Sequence, residues 1–491
     1  MSTSPADHHL PSVHVRPPKN WINDPNGLAF HDGHYHVFFQ HNPHAPTHTG
    51  VHWGHYRSTD LVTWEQLPIA LTPTPGGYDA DGCYSGNAVS DGTRMVAFYS
   101  AHRQDRWWQP VTSAESHDGG LTWDKRPELL IPTPPDATTM YRDPYVWREG
   151  GQWRMLVGAS LAGDRGAALL YESADLEQWH YRGPFLAADD GHAPGTGGWT
   201  GWECPQYAAF DGRGALVVSL WDAVDGPRSV RVYVGTESAG VFTPTAQQPL
   251  DHGPDFYAPA LLRAPDGRWL LWGWSWEARD AAWSGEAGWA GTLTLPRELV
   301  LTQDGRVQQQ PAREILHHRG RRTVHVPEQL AGPQALDLGE VGSAFDLTAR
   351  LRPDAQAPGG LRLVTARDGS EYLDITLDPV AGELVVYRDH ASQDPRALPG
   401  QYRLPLGPES AVDGAVDLRI IVDGSIVEIF LSTGEALTLR CYPTGAPPWR
   451  LQTLGRTHVT VDAWDLTSGS RKDWPEQSAA LAGASPTGPV G

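Results

Sequence analysis

Three acidic residues in this chain sit in similar settings. Asp24 lies in Trp21-Ile22-Asn23-Asp24-Pro25-Asn26-Gly27, Asp143 in Tyr141-Arg142-Asp143-Pro144-Tyr145, and Glu203 in Trp202-Glu203-Cys204-Pro205. Each precedes a proline by one or two residues, and proline drives the residue before it out of the helical region. Gly27 supplies a position that can take a positive φ. The carboxylates are therefore carried on stiff, non-helical backbone. A group of carboxylates with no lysine beside it suits cleavage of a glycosidic bond. One acid protonates the leaving oxygen, a second attacks the anomeric carbon or activates water, and a third holds ring hydroxyls as charge develops. A retaining pair stands ~5–5.5 Å apart and an inverting pair roughly 6.5–9.5 Å. An isolated Asp-Pro or Asn-Gly is more often an ordinary turn, so this chemistry requires that the fold bring the three acids together.

The elements that could do so are visible as a repeat. A tight turn followed by an aromatic or apolar strand occurs at Asp32-Gly33, Asp91-Gly92, Gly150-Gly151, Asp211-Gly212 and Asp266-Gly267, at spacings of 59, 59, 61 and 55 residues. A second element runs beside it, Ser58 to Trp64, Ser116 to Trp123 and Ser173 to Trp179. Near-constant spacing of strand-forming units indicates repeated four-stranded sheets, and the count predicts a five-bladed β-propeller. Asp24 lies 8 residues before its turn, Asp143 lies 7 before Gly150, and Glu203 lies 8 before Asp211. Equivalent positions in a propeller form a ring about its axis, so the three acids are expected at one end of the channel. Tyr84-Ser85 occupies that phase in the second repeat, and Asp255-Phe256-Tyr257 lies slightly earlier in the fifth.

Beyond Pro296-Arg297-Glu298-Leu299 the pattern changes. Alternating segments such as Leu361–Val364, Leu384–Tyr387, Leu418–Val422 and Ile426–Phe430, with a turn at Asp423-Gly424, read as a β-sandwich. The expected organisation is all-β: a propeller over 10–310, a linker over 311–340, a sandwich over 341–470 and a disordered tail over 471–491.

Composition narrows the partners. Lys+Arg 38 against Asp+Glu 58 gives a net charge of −20, which argues against nucleic acid and anionic membranes. Twenty-one tryptophans suit packing and also stacking on sugar rings. Cys83, Cys204 and Cys441 form no disulfide framework, and Cys204 reads as a packing residue. No apolar run of about 18 residues occurs, so a cytoplasmic protein is expected. The segment His31 to His55 holds eight histidines, namely His31, His34, His36, His41, His44, His48, His52 and His55, without metal-ligand spacing. No metal site is expected there.

The motifs together resemble glycoside hydrolase family 32, the β-fructofuranosidases. Trp21 to Gly27 looks like that family's WxNDPNG motif. The likeness continues through Phe39-Gln40-His41-Asn42-Pro43, Trp53-Gly54-His55, Tyr84-Ser85-Gly86, Arg142-Asp143-Pro144, Glu203-Cys204, Asp255 to Ala258, Gly291 to Leu299, Val422 to Ser425 and Val427 to Phe430. The resemblance implies a propeller followed by a sandwich, no cofactor, and a small carbohydrate substrate such as sucrose or a fructo-oligosaccharide; it leaves the oligomeric state unknown. It implies Asp24 as nucleophile of a retaining reaction, Glu203 as acid and then base, and Asp143 with Arg142 on the fructose hydroxyls. Asn23, Gln40 and Ser85 would contact the fructosyl unit, Tyr84, Trp274 and Tyr257 would line the pocket, and Asp255 would lie nearby. Thr47-His48-Thr49-Gly50 stands where members usually carry an aromatic residue before Trp-Gly-His. Fructosyl transfer, exo-acting fructan hydrolysis and a non-catalytic carbohydrate-binding propeller remain alternatives.

Overall fold

The computed structural model describes residues 7–188, 201–332, 334–407 and 413–468. The first part of the chain forms five antiparallel sheets, each of four strands in sequence order, with short additional strands on the first and fifth. The turns expected from the repeat are the hairpins that join the first two strands of each sheet, as in His31↔His34 and Phe210↔Arg213. The first strands of the sheets are Asn20–His31, Gly82–Ser90, Thr138–Glu149, Gly201–Phe210 and Tyr257–Arg263. Each touches the next, and the fifth returns to the first, so they line the axis of a closed ring and the sheets are its blades.

The second repeated element also has a local cause. In blade 1 the Ser58 hydroxyl accepts from the backbone N–H of Leu61, and Asp60 Oδ1 accepts from those of Val62 and Thr63. Ser173 and Asp175 repeat the arrangement in blade 3, and Ser116 with Asp118 a close variant in blade 2. These side chains satisfy the N–H groups of a tight turn that has no ladder partner. The ring is closed where Asn20 and Trp21 pair in parallel with Trp289 and Ala290, a short strand of the first sheet supplied by the chain between the second and third strands of blade 5. Just before that junction lies the helix Ala281–Ala287, capped by Asp280 and ended by Gly288 in the left-handed region.

Two six-stranded sheets follow and pack face to face as a sandwich, with one core that includes Phe345, Leu363, Ile375, Ile429 and Trp449. The stretch 311–340, expected as a linker, belongs largely to this domain. It holds a 3₁₀ turn at Arg313–His318, an edge strand Arg319–Leu330 on one sheet and an edge strand Asp337–Val341 on the other. The first edge strand buries only Val324 and Val326 of twelve residues and is otherwise polar. An edge strand faces solvent on most sides, which hides the alternation by which an inner strand is recognised. The expected tail, 471–491, lies outside the described residues. Among the described residues no helix is long and apolar enough to cross a membrane.

Candidate active site

All five inner strands break register with their neighbours near the same end of the ring. The breaks fall between Ile22 and Pro25, Tyr84 and Gly86, Arg142 and Tyr145, Glu203 and Gln206, and Tyr257 and Ala260. Four of these bulges contain or adjoin a proline: Pro25, Pro144, Pro205 and Pro259. Proline has no N–H to give a ladder, so a strand tolerates it where a bulge already interrupts pairing. Asp143, Cys204 and Ala258, each directly before its proline, have φ of 65°, 46° and 45°. These strained positions aim side chains toward the axis instead of the sheet faces.

The bulges also define which residues are equivalent. Counted from them, Asp24, Ser85, Asp143 and Cys204 occupy one level, and Tyr84, Arg142, Glu203 and Tyr257 the level before it. An extra register shift between Asn26 and Ala29 lengthens the first strand, so Asp24, 8 residues before its turn, corresponds to Asp143 at 7. Glu203 at 8 therefore corresponds to Arg142. Arg142 and Glu203 stand side by side on adjacent blades, with Nε 3.2 Å from Oε1.

Around Asp24 the structure collects donors. Ser85 Oγ donates to Oδ2 at 2.5 Å, Asn23 Nδ2 donates to Oδ1 at 3.0 Å, and Gln40 Nε2 lies 3.5 Å from Oδ2. Gln40 also donates to Ser85 and accepts from Asn23 at 3.0 Å. Cys204 connects two acids: its thiol lies 3.7 Å from Asp24 Oδ2 and 3.5 Å from Asp143 Oδ2, and its N–H donates to Asp143 Oδ2 at 3.1 Å. The Asp143 N–H donates to Ser100 Oγ at 2.7 Å. Glu203 Oε2 lies 2.7 Å from the Tyr257 hydroxyl, which is 3.0 Å from the Leu220 carbonyl. The hydroxyl has one proton and a carbonyl only accepts. When Tyr257 donates to Leu220, Glu203 must donate to Tyr257, and that requires the protonated acid.

Desolvation raises the pKa of all three carboxyl groups. At Asp24 the bonds from Ser85 and Asn23 oppose it. At Asp143 burial, then the nearby Glu203, raise the pKa to about 7 against the pull of Arg142. At Glu203 burial wins over Arg142 and Tyr257. Burial pushes the Cys204 thiol well up, which leaves it the neutral bridge between two acids.

Aromatic rings surround the cluster. Trp21 donates from its ring N–H to Asn23 at 2.6 Å and lies 5.9 Å from Trp274 and 5.8 Å from His48. His48 lies 5.3 Å from Tyr84, which stacks on His102 at 4.2 Å. His48 thus stands between Trp21 and Tyr84, and its Nε2 sits 3.3 Å from Gln40 Oε1. Burial lowers its pKa to about 4. On the far side Trp276 approaches both Trp274 and Tyr257, and Arg142 lies over Trp221 at 5.0 Å.

Of the residues expected from sequence, Asn23, Asp24, Gln40, Tyr84, Ser85, Arg142, Asp143, Glu203, Tyr257 and Trp274 are brought into this one neighbourhood. Asp255 is not. Its carboxylate is buried at the junction with the sandwich, where Oδ2 accepts from Arg388 at 2.6 Å and from the Arg440 N–H at 2.8 Å. Its Oδ1 accepts from the Trp276 ring N–H at 3.1 Å, so it supports an aromatic wall instead of meeting a ligand. Trp21, Trp276 and Cys204 were not among the expected site residues: Cys204, read as a packing residue, directly follows Glu203, and Trp21 and Trp276 lie two positions from Asn23 and Trp274. Among the described residues no group of three or more His, Cys, Asp and Glu could hold a metal ion. His36 and His55 are hydrogen-bonded to each other at 3.0 Å inside blade 1.

Carboxylates of unequal surroundings, amide and hydroxyl donors and an aromatic border at one end of a β-propeller define a glycoside hydrolase. Comparison with known proteins agrees: the N-terminal domain of glycosyl hydrolases family 32 matches residues 14–311, and the family's C-terminal domain matches residues 314–464. The chain belongs to glycosyl hydrolases family 32 and acts on fructosides. It is similar to a raffinose invertase of Escherichia coli, 34% identical over 90% of this chain and 91% of that one. It is also similar to a sucrose-6-phosphate hydrolase of Zymomonas mobilis, 32% identical over 96% and 93%. The solved Bombyx mori GH32 beta-fructofuranosidase superposes with a TM-score of 0.79 at 27% identity, over 94% of each chain.

Proposed function

We propose that the chain is a retaining β-fructofuranosidase that hydrolyses terminal non-reducing β-D-fructofuranosides, sucrose and small fructo-oligosaccharides, with Asp24, Glu203 and Asp143 as its working acids. The observation that carries this is the different company of Asp24 and Glu203. Donors converge on Asp24 and favour its ionised form, while Glu203 has a hydrogen-bond chain to a carbonyl that the protonated acid completes. Separated roles for two carboxyl groups are what glycoside cleavage needs.

In this reading the Asp24 carboxylate attacks C2 of the fructosyl unit as Glu203 gives its proton to the glycosidic oxygen. The C2–O bond breaks, the leaving sugar departs as an alcohol, and fructose is held as an ester on Asp24. Glu203, now ionised, takes a proton from water; the water oxygen bonds to C2 and Asp24 is released. Arg142, 3.2 Å from Glu203, stabilises the carboxylate between the steps. Asp143 would accept from fructose hydroxyls, and Asn23 and Gln40 fix the Asp24 oxygens. The names of the relatives support sucrose as a substrate.

The test is product analysis on sucrose, 1-kestose, inulin and levan. Equal yields of glucose and fructose from sucrose are expected. Glucose in excess would indicate transfer to a sugar acceptor, and no release from any of the four would overturn the assignment.

A further inference from the structure

Trp107 is the one tryptophan among the described residues that stands exposed, with 54% of its surface open to solvent. An exposed indole offers a flat apolar face on which a ring can stack, and what matters here is where the fold places it. The segment is 103–109, which leaves the second strand of blade 2 at His102, the residue stacked on Tyr84. It is fastened to the segment just before the inner strand of blade 2 and to the inner strand of blade 3. Gln104 N–H donates to Asp81 Oδ2 at 2.9 Å, Arg106 donates to the Tyr78 carbonyl at 2.7 Å, and Gln109 N–H donates to the carbonyl of Tyr141, the neighbour of Arg142, at 2.9 Å. Trp108 is fixed by a bond from its ring N–H to the Pro132 carbonyl at 3.0 Å and packs edge-on against Trp107 at 5.4 Å. The loop therefore bridges blades 2 and 3 on the face that carries the acids, and it presents an exposed indole there.

We propose that Trp107 is a stacking platform for a pyranose ring of the leaving group, one unit beyond the sugar bonded to fructose. The substrates it serves are tri- and tetrasaccharides with a terminal fructose in which the second unit beyond that fructose is a pyranose. This inference rests on the fructoside hydrolysis proposed above. The platform touches neither fructose nor the bond that breaks, so it acts on KM for longer substrates and leaves sucrose alone.

The test compares sucrose, raffinose and stachyose with wild type, Trp107→Ala and Trp107→Phe. For Trp107→Ala, KM on raffinose and stachyose is expected to rise about five- to tenfold, the scale of one lost aromatic contact, with kcat nearly unchanged and both constants on sucrose within about twofold. Trp107→Phe should recover part of the affinity. No change on any substrate would overturn the platform, and so would an equal loss on all three, which would mark a merely structural residue. Wild-type protein that released no fructose from any of them would defeat the parent assignment, and the platform with it.

Discussion

Asp24 and Glu203 share burial but not surroundings, and the chemistry follows from the difference. Asp24→Asn keeps the shape and removes the attacking charge, so turnover on sucrose should fall by about six orders of magnitude, the scale seen when a nucleophile is lost, with an unchanged circular dichroism spectrum. Near-normal activity would refute the nucleophile. Glu203→Gln should cost ~10³-fold on sucrose, within the range for a general acid, but far less on a fructoside whose leaving group needs no proton. Equal losses on both would argue against an acid role. The pH profile carries a sign. Activity requires Asp24 ionised and so rises as pH climbs through its pKa; it requires Glu203 protonated and so falls as pH climbs through that one. Arg142 opposes the burial that raises Glu203. Arg142→Gln should therefore raise the acid's pKa further and move the alkaline limb to higher pH; a move to lower pH would contradict the pairing. At this scale most side chains were legible in the sequence because each sits inside a short, stiff motif. For Asp255 the motif showed only that it lies near Tyr257; that its carboxylate turns to arginines more than a hundred residues away was not legible.

The strand that delivers each residue is bent, and the bend is the functional device. A one-residue change of register carries a side chain to the opposite face of a sheet. The bulges place Arg142 and Glu203 at one level and Asp24, Asp143 and Cys204 at the next, which turn spacing alone could not separate. Spacings of 7 and 8 contained the signal, but only the additional shift after Asn26 explains the difference. Gly86 shows how tightly such a bulge is packed, since a Cβ there would overlap the Phe98 carbonyl oxygen. Gly86→Ala should lower stability by about 2–3 kcal/mol, as overpacking does, and should displace Ser85 from Asp24. Thermal unfolding and kcat together check this, and wild-type values for both would contradict it. The edge strand Arg319–Leu330 is the reverse case: an element present in the fold whose polar sequence gave no strand signal.

The two domains meet through buried charges instead of an apolar seam alone. Arg297 of blade 5 donates to Asp251 at 2.8 Å and to Glu428 of the sandwich at 3.0 Å, and the Asp423 carboxylate of the sandwich accepts from Ser12, Val13 and His14 of the N-terminal segment. Arg388 and Arg440 hold the segment that carries Trp276, through Asp255 and through the Ser275 carbonyl at 3.1 Å. The sandwich thereby braces one wall of the site. Arg388→Met leaves Asp255 buried without its cation, which should cost about 3–5 kcal/mol and raise KM as Trp276 loosens. A denaturant midpoint lowered at constant slope, with higher KM, is the expected pair of results; an unchanged midpoint would contradict the brace. None of this junction was legible in sequence, since it depends on which surfaces of two domains face each other.

At the centre of the mechanism is a fructosyl group bound through Asp24 with inversion and released with a second inversion. Supplying methanol as a competing acceptor and reading the anomeric configuration of the methyl fructoside by nuclear magnetic resonance tests it directly. Methyl β-D-fructofuranoside is the predicted product from wild type, and Asp24→Asn should give none. Methyl α-D-fructofuranoside would mean a single displacement and would contradict the mechanism at its centre.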